Sequence, residues 1–170
     1  MPKRCVAVLL IVSFASEASL FAVDGKKAAY FGGTAAAFAG AKDPVEGRLN
    51  TADANDFILT AEKKPFAKQE LRIPYGKVID IEYGQKAGRR VGAAVATTIL
   101  LGPIGLLTLF SKKRKHYVTI GFKDGEDKDQ VAVIELGKDI VRTTLPILST
   151  RSGKEIDYQD DEARKASRGN

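Results

Sequence analysis

Residues 91–110 run for 20 positions without a charged side chain, and any fold for this 170-residue chain must give them an apolar environment. That length suffices for one transmembrane helix, which needs about 20 residues. Three features argue against a simple span. Gly102-Pro103 lies at the centre with Gly105 just beyond, dividing the run into halves of about ten residues. Basic residues bracket both ends, whereas a spanning helix carries an asymmetric bias. Strand-like patterns occur on both sides, and a span would separate them and leave open sheet edges.

Charge sharpens the point. Residues 23–85 carry nine basic and nine acidic side chains, and residues 116–170 carry nine and eleven. Between them, Lys86, Arg89, Arg90, Lys112, Lys113, Arg114 and Lys115 occur with no acid at all. The sequence therefore predicts an apolar helical hairpin over about 90–111. Each half rises about 15 Å, half the hydrocarbon thickness of a bilayer. Val95, Ile99, Leu100, Leu101, Ile104, Leu106, Leu107, Leu109 and Phe110 are its candidate membrane-inserting residues. The seven bases are the candidate headgroup-binding residues, each contributing on the order of 1 kcal/mol near an anionic surface. Two other readings stay open. The hairpin packs on the domain's own sheet or on a second copy of the chain, for which Gly92, Ala93, Ala94, Ala96, Gly102 and Gly105 suit close approach, or the run is a true span.

Elsewhere the pattern is that of short strands separated by turn residues. Strands are expected over 28–34, 46–51, 57–60, 69–73, 78–83, 116–122 and 131–136, with a last short one over 155–158. Alternation places Ile79, Ile81 and Tyr83 on one face with Asp80 and Glu82 opposite. It groups Val118, Ile120 and Phe122 and exposes Tyr117 and Thr119. The period then changes. From Asp139, a candidate N-cap, Ile140, Val141, Leu145 and Leu148 recur at helical spacing, interrupted by Pro146 and ended by Ser152-Gly153. The charged residues 159–170 read as a flexible tail.

Residues 1–22 read as an export signal: Lys3-Arg4, then an apolar run over 5–15, then Ser16-Glu17-Ala18 with small residues at both recognition positions of a cleavage site. The expected protein is exported, periplasmic, envelope-associated or secreted, with residues 23–158 as one β domain; a buried N-terminal helix or an uncleaved anchor is the alternative reading of the segment. Cys5 is the chain's single cysteine and lies within that signal; no cysteine is placed for lipid attachment.

Catalytic and metal chemistry find little to work with. One histidine, His116, and no mature cysteine leave neither a Ser-His-Asp triad nor a Cys-His pair, and zinc sites of those residues fail by count. Asp124, Glu126, Asp129 and Glu135 mimic part of a calcium loop, but Lys128 and Asp129 stand where an oxygen ligand and a glycine are required. No phosphate-binding glycine motif occurs, and the bases flank apolar rather than stacking residues, against nucleic acid. No enzyme, cofactor, metal or nucleic-acid partner is expected.

Several segments, taken together, resemble the pleckstrin-homology superfold and its GRAM-like relatives, in a bacterial form. They are Tyr30-Phe31-Gly32-Gly33-Thr34, Glu46-Gly47-Arg48-Leu49, Ile73-Pro74-Tyr75, residues 79–86 with Arg89-Arg90, residues 115–120, Glu135-Leu136-Gly137-Lys138-Asp139 and Arg151-Ser152-Gly153-Lys154-Glu155. The resemblance covers about residues 27–158. It implies a mainly β, PH-like antiparallel barrel or sandwich of six to seven strands with a C-terminal helix. It also implies a binding module, commonly for lipid headgroups or peptides, without enzymatic activity. In the familiar lipid-binding members the bases gather in an early loop; here they flank a late insertion. The expected function is a non-catalytic envelope module that binds a membrane surface or anionic lipid. The alternative is a structural or protein-interaction domain that homo-oligomerises through the apolar hairpin.

Overall fold

The structure, a computed structural model, describes residues 22–85 and 115–168. Seven antiparallel strands follow one another: β1 Lys26–Gly33, β2 Val45–Asn50, β3 Asp56–Ala61, β4 Glu70–Pro74, β5 Val78–Gly84, β6 His116–Lys123 and β7 Asp129–Leu136. Helix α1 (Val141–Ser152), a short strand β8 (Ile156–Tyr158) and helix α2 (Asp161–Arg168) complete the chain. One mixed sheet in the order β4-β3-β2-β1-β7-β6-β5-β8 curls into a half-barrel. Only β8 runs parallel, against β5. The fold is mainly β as expected, with eight strands rather than six or seven and with two C-terminal helices.

Local chemistry explains the curl. β2 and β4 alternate strictly, sending Val45, Gly47 and Leu49, and Leu71 and Ile73, inward. β1 carries a bulge between Tyr30 and Gly32, where the extra residue bends the strand. Gly33 follows at φ +128°, and a Cβ there would collide with the Val131 carbonyl. Thr34 closes the corner, its N–H donating to Val131 O and its Oγ1 accepting from Val131 N, both at 2.9 Å.

The concave side holds the main core: Tyr30, Phe38, Leu49, Phe57, Leu59, Ile73, Ile81, Tyr83, Val118, Ile120, Ile134, Leu145 and Leu148, each at most 3% exposed. A second bulge lies between Val78 and Asp80. It puts Val78 rather than Ile79 into that core, which corrects the simple alternation.

Helix α1 lays Val141, Thr144, Leu145 and Leu148 across the open side of the half-barrel. Its N-cap is Ile140, without a side-chain cap. Asp139, expected in that role, is solvent-exposed and 4.0 Å from Lys26 Nζ. Pro146 lies inside the helix with its ring exposed. Gly153 ends it in the left-handed conformation, φ +68°, as expected of a glycine there. The tail expected over 159–170 is instead largely helical. Asp160 Oδ1 accepts the Ala163 N–H at 2.7 Å, Asp161 and Glu162 occupy the first turn, and Lys165 and Arg168 the last. Ala163 is fully buried.

Candidate functional site

The expected site hangs from the β5–β6 connection. All nine candidate inserting residues (Val95, Ile99, Leu100, Leu101, Ile104, Leu106, Leu107, Leu109, Phe110) and six of the candidate headgroup bases (Lys86, Arg89, Arg90, Lys112, Lys113, Arg114) lie outside the described residues. So does the expected export signal over 1–22, apart from Ala22. Lys115 is described, and so are both anchor points of the run.

Those anchors are adjacent. β5 pairs with β6 in antiparallel register, with Gly84 opposite Tyr117 and Tyr83 opposite Val118. The chain therefore leaves the sheet and re-enters it on neighbouring strands at one end of the half-barrel. The root is pinned on its concave side. Tyr83 Oη and His116 Nδ1 are hydrogen-bonded at 2.5 Å, with the rings stacked at 13°. Tyr158 meets the Tyr83 ring edge-on at 6.1 Å, and the Gln159 N–H donates to Tyr83 O at 3.0 Å. Burial, then the nearby Tyr158, pushes the Tyr83 phenol up to about 12. Burial, then the positive charge of Lys138, holds His116 below its ordinary value, opposed by Glu135. Near neutrality both groups are uncharged, which suits a structural hydrogen bond.

The convex side of the same strands is also buried. Tyr117 and Thr119 on β6, expected to face solvent, are 5% and 6% exposed. Glu82 on β5 is 5% exposed, Val131 and Val133 on β7 at most 1%, and Phe31 on β1 is 5%. The register joins them into rows: Glu82 opposite Thr119, Thr119 opposite Val133, Val133 opposite Gly32. Phe31 and Tyr117 meet edge-to-face at 5.1 Å. Burial, then Glu135, raises the Tyr117 phenol to about 12. The period-2 rule assumes one solvated face; these central strands have none.

Lys115 stands on this convex face. Its Nζ donates to Glu135 Oε2 at 2.9 Å and lies 6.0 Å from the centre of the Phe31 ring. The face runs into a groove of about 650 Å³ lined by Lys27, Phe31, Glu46, Lys63, Lys115 and Glu135, a mixed-charge surface rather than a cationic one.

No protein-family model matches the chain, and no curated protein does. The arrangement itself must carry the functional reading.

Elsewhere the carboxylates are engaged in local structure. Asp124 Oδ1 accepts the N–H groups of Glu126 and Lys128, at 2.9 and 3.0 Å, and Oδ2 accepts from Gln130 Nε2. Asp129 pairs with Lys123 and Asp127 with Lys77. Among the described residues no three His, Cys, Asp or Glu side chains gather as metal ligands. Nor is any described helix long and apolar enough to cross a membrane. Arg151, cited above only as part of a resembling segment, has a role that its sequence does not announce: it ties the end of α1 to the β2–β3 turn, Nη1 donating to the carbonyls of Thr51 and Asp53, both at 2.6 Å.

Proposed function

We propose that this chain is a non-catalytic, exported envelope module of pleckstrin-homology-like architecture that binds membrane surfaces through residues 91–110 and their cationic flanks. The seven antiparallel strands followed by α1 support the PH-like part of the reading; β8 and α2 extend beyond that layout. The carrying observation for the membrane part is the pairing of Gly84 with Tyr117. The segment that carries the apolar run and its two basic flanks leaves β5 after Gly84 and re-enters the sheet on the neighbouring strand β6, which supports both flanks starting from the same side of the domain. Insertion into one leaflet, with both flanks at the headgroups, fits that geometry. A single crossing would pull β5 from β6.

Flotation with vesicles tests the reading. The full chain should float with vesicles containing about a third phosphatidylglycerol, and less so as salt rises. Replacing Ile99, Leu101 and Leu106 together with Ser removes large apolar groups, each contributing about 1.5–3 kcal/mol when buried. That variant should stay at the bottom of the gradient with its β-type circular dichroism intact. A triple variant that floats like the parent would overturn the proposal.

A further inference from the structure

Tyr83 is fully buried, and among the described residues its Oη has one hydrogen-bond partner, Nδ1 of His116 at 2.5 Å. A phenol pushed up to about 12 keeps its hydrogen near neutrality, and a buried O–H must find an acceptor or lose its hydration for nothing. The Tyr83 hydroxyl therefore donates and Nδ1 accepts, which places the ring hydrogen of His116 on Nε2. Only the neutral imidazole can play that part. Protonation turns Nδ1 into a donor and sets its hydrogen against that of the phenol. We propose that the Tyr83–His116 pair is an acid-sensitive latch, which holds the start of β6 on the end of β5 near neutrality and opens when the imidazole takes up a proton.

The described surroundings do not absorb the new charge. Burial disfavours the imidazolium first, and then Lys138, a second cation on the loop after β7. Glu135 on β7 favours it, but that carboxylate already pairs with Lys115 at 2.9 Å. From β8 comes only the phenol of Tyr158, with the Arg164 guanidinium over its ring. From β5 the facing group is Tyr83 itself, stacked on the imidazole at 13°. His116 is half-buried and begins its strand, so its ring has a way out to water; fully buried Tyr83 has none. On protonation the imidazole leaves and the phenol stays. The pairs Gly84–Tyr117 and Tyr83–Val118 then fray, while the ladder from Val78 to Glu82 holds. The latch does not depend on lipid.

His116 is the chain's one histidine, so in an untagged protein the imidazole signals belong to it alone. Nitrogen NMR of the labelled full chain at about pH 7.5 should show a protonated Nε2 and a bare Nδ1. A protonated Nδ1 would overturn the latch, because the bond would then run the other way. Amide hydrogen exchange, corrected for intrinsic rates, measures the opening. Protection at Tyr83, Gly84, Tyr117 and Val118 should fall below pH 6.5, by up to about tenfold per pH unit, the limit for uptake of one proton. It should also stay lower than protection in the β3–β4 ladder at every pH. His116→Phe keeps a flat ring without an acceptor, and should leave the same amides weakly protected near neutrality and insensitive to acid. Should that variant fold poorly, Tyr83→Phe removes the donor instead and should at least halve the steepness. Amides that keep their protection to about pH 5, that open only together with β3–β4, or that respond to acid unchanged in the variants would sink the proposal. Every measurement is made without vesicles, so flotation and the latch stand or fall separately.

Discussion

Arg151 is the side chain on which the packing of α1 against the half-barrel most visibly depends, and its removal has a calculable effect. Its guanidinium donates to two carbonyls at 2.6 Å, reaches Tyr75 Oη at 3.4 Å, and lies 5.3 Å from the centre of the Tyr75 ring. Hydrogen bonds from a charged donor contribute about 1.5–3 kcal/mol each. The residue is only half-buried, so the low end applies to the pair, and screening reduces it further. A cation over a partly exposed ring adds about 0.5–1 kcal/mol. Arg151→Met keeps the apolar stem and loses the rest, for an expected destabilisation of about 3 kcal/mol. With a urea m-value of about 2 kcal/mol/M for a domain this size, the midpoint should fall by about 1.5 M. Arg151→Lys retains the charge but not the planar fork, and should recover less than half of the loss. Hydrogen exchange of the amides from Thr51 to Asp56 should quicken in the Met variant, because the turn loses its anchor. A Met variant within about 0.5 kcal/mol of the parent would refute the reasoning, showing that water replaces the guanidinium at little cost.

Two smaller perturbations probe other points of the same framework. His116 has a folded pKa below its ordinary 6.5, so the unfolded chain takes up its proton first as pH falls. That contribution to stability is present above the ordinary value of 6.5 and is lost as pH falls from there through the lower folded value. His116→Phe should flatten the dependence of the urea midpoint between about pH 7.5 and pH 5, and an unchanged slope would exclude His116 as its source. Thr144 is fully buried in α1, and its Oγ1 has no hydrogen-bond partner. Thr144→Val should therefore leave stability level or raise it by up to about 1 kcal/mol in thermal melts; a loss of 1 kcal/mol or more would mean that the hydroxyl is satisfied in solution.

The strands were legible because their cause is local. Alternation over 45–50 and 69–73, and the groups Ile81 with Tyr83 and Val118 with Ile120 and Phe122, report one buried face, and the concave core is built from those residues. What escaped notice came from elsewhere in the fold. Tyr117, Thr119 and Glu82 look like solvent-side residues because polarity and spacing describe one face at a time and cannot tell whether the second is covered. The bulge at Val78–Asp80 shifts the pattern by one residue, and the glycine that accommodates it, Gly121, lies on the partner strand, far away in sequence. Helix α2 did leave a signal. Asp160 as cap, acids then bases, and Ala163 with Ser167 four residues apart form a short helix with one small buried edge, which the high charge of the segment obscured. Arg151 left none, since its partners are main-chain carbonyls about a hundred residues away.

The site divides along the same line. A charge-free run between two cationic collars is a property of adjacent residues and is read directly. What the run lies against depends on tertiary contacts. The ends of the segment that carries it are held by the β5–β6 ladder, from Val78 opposite Phe122 to Gly84 opposite Tyr117, a long-range pairing that no run of adjacent residues reports.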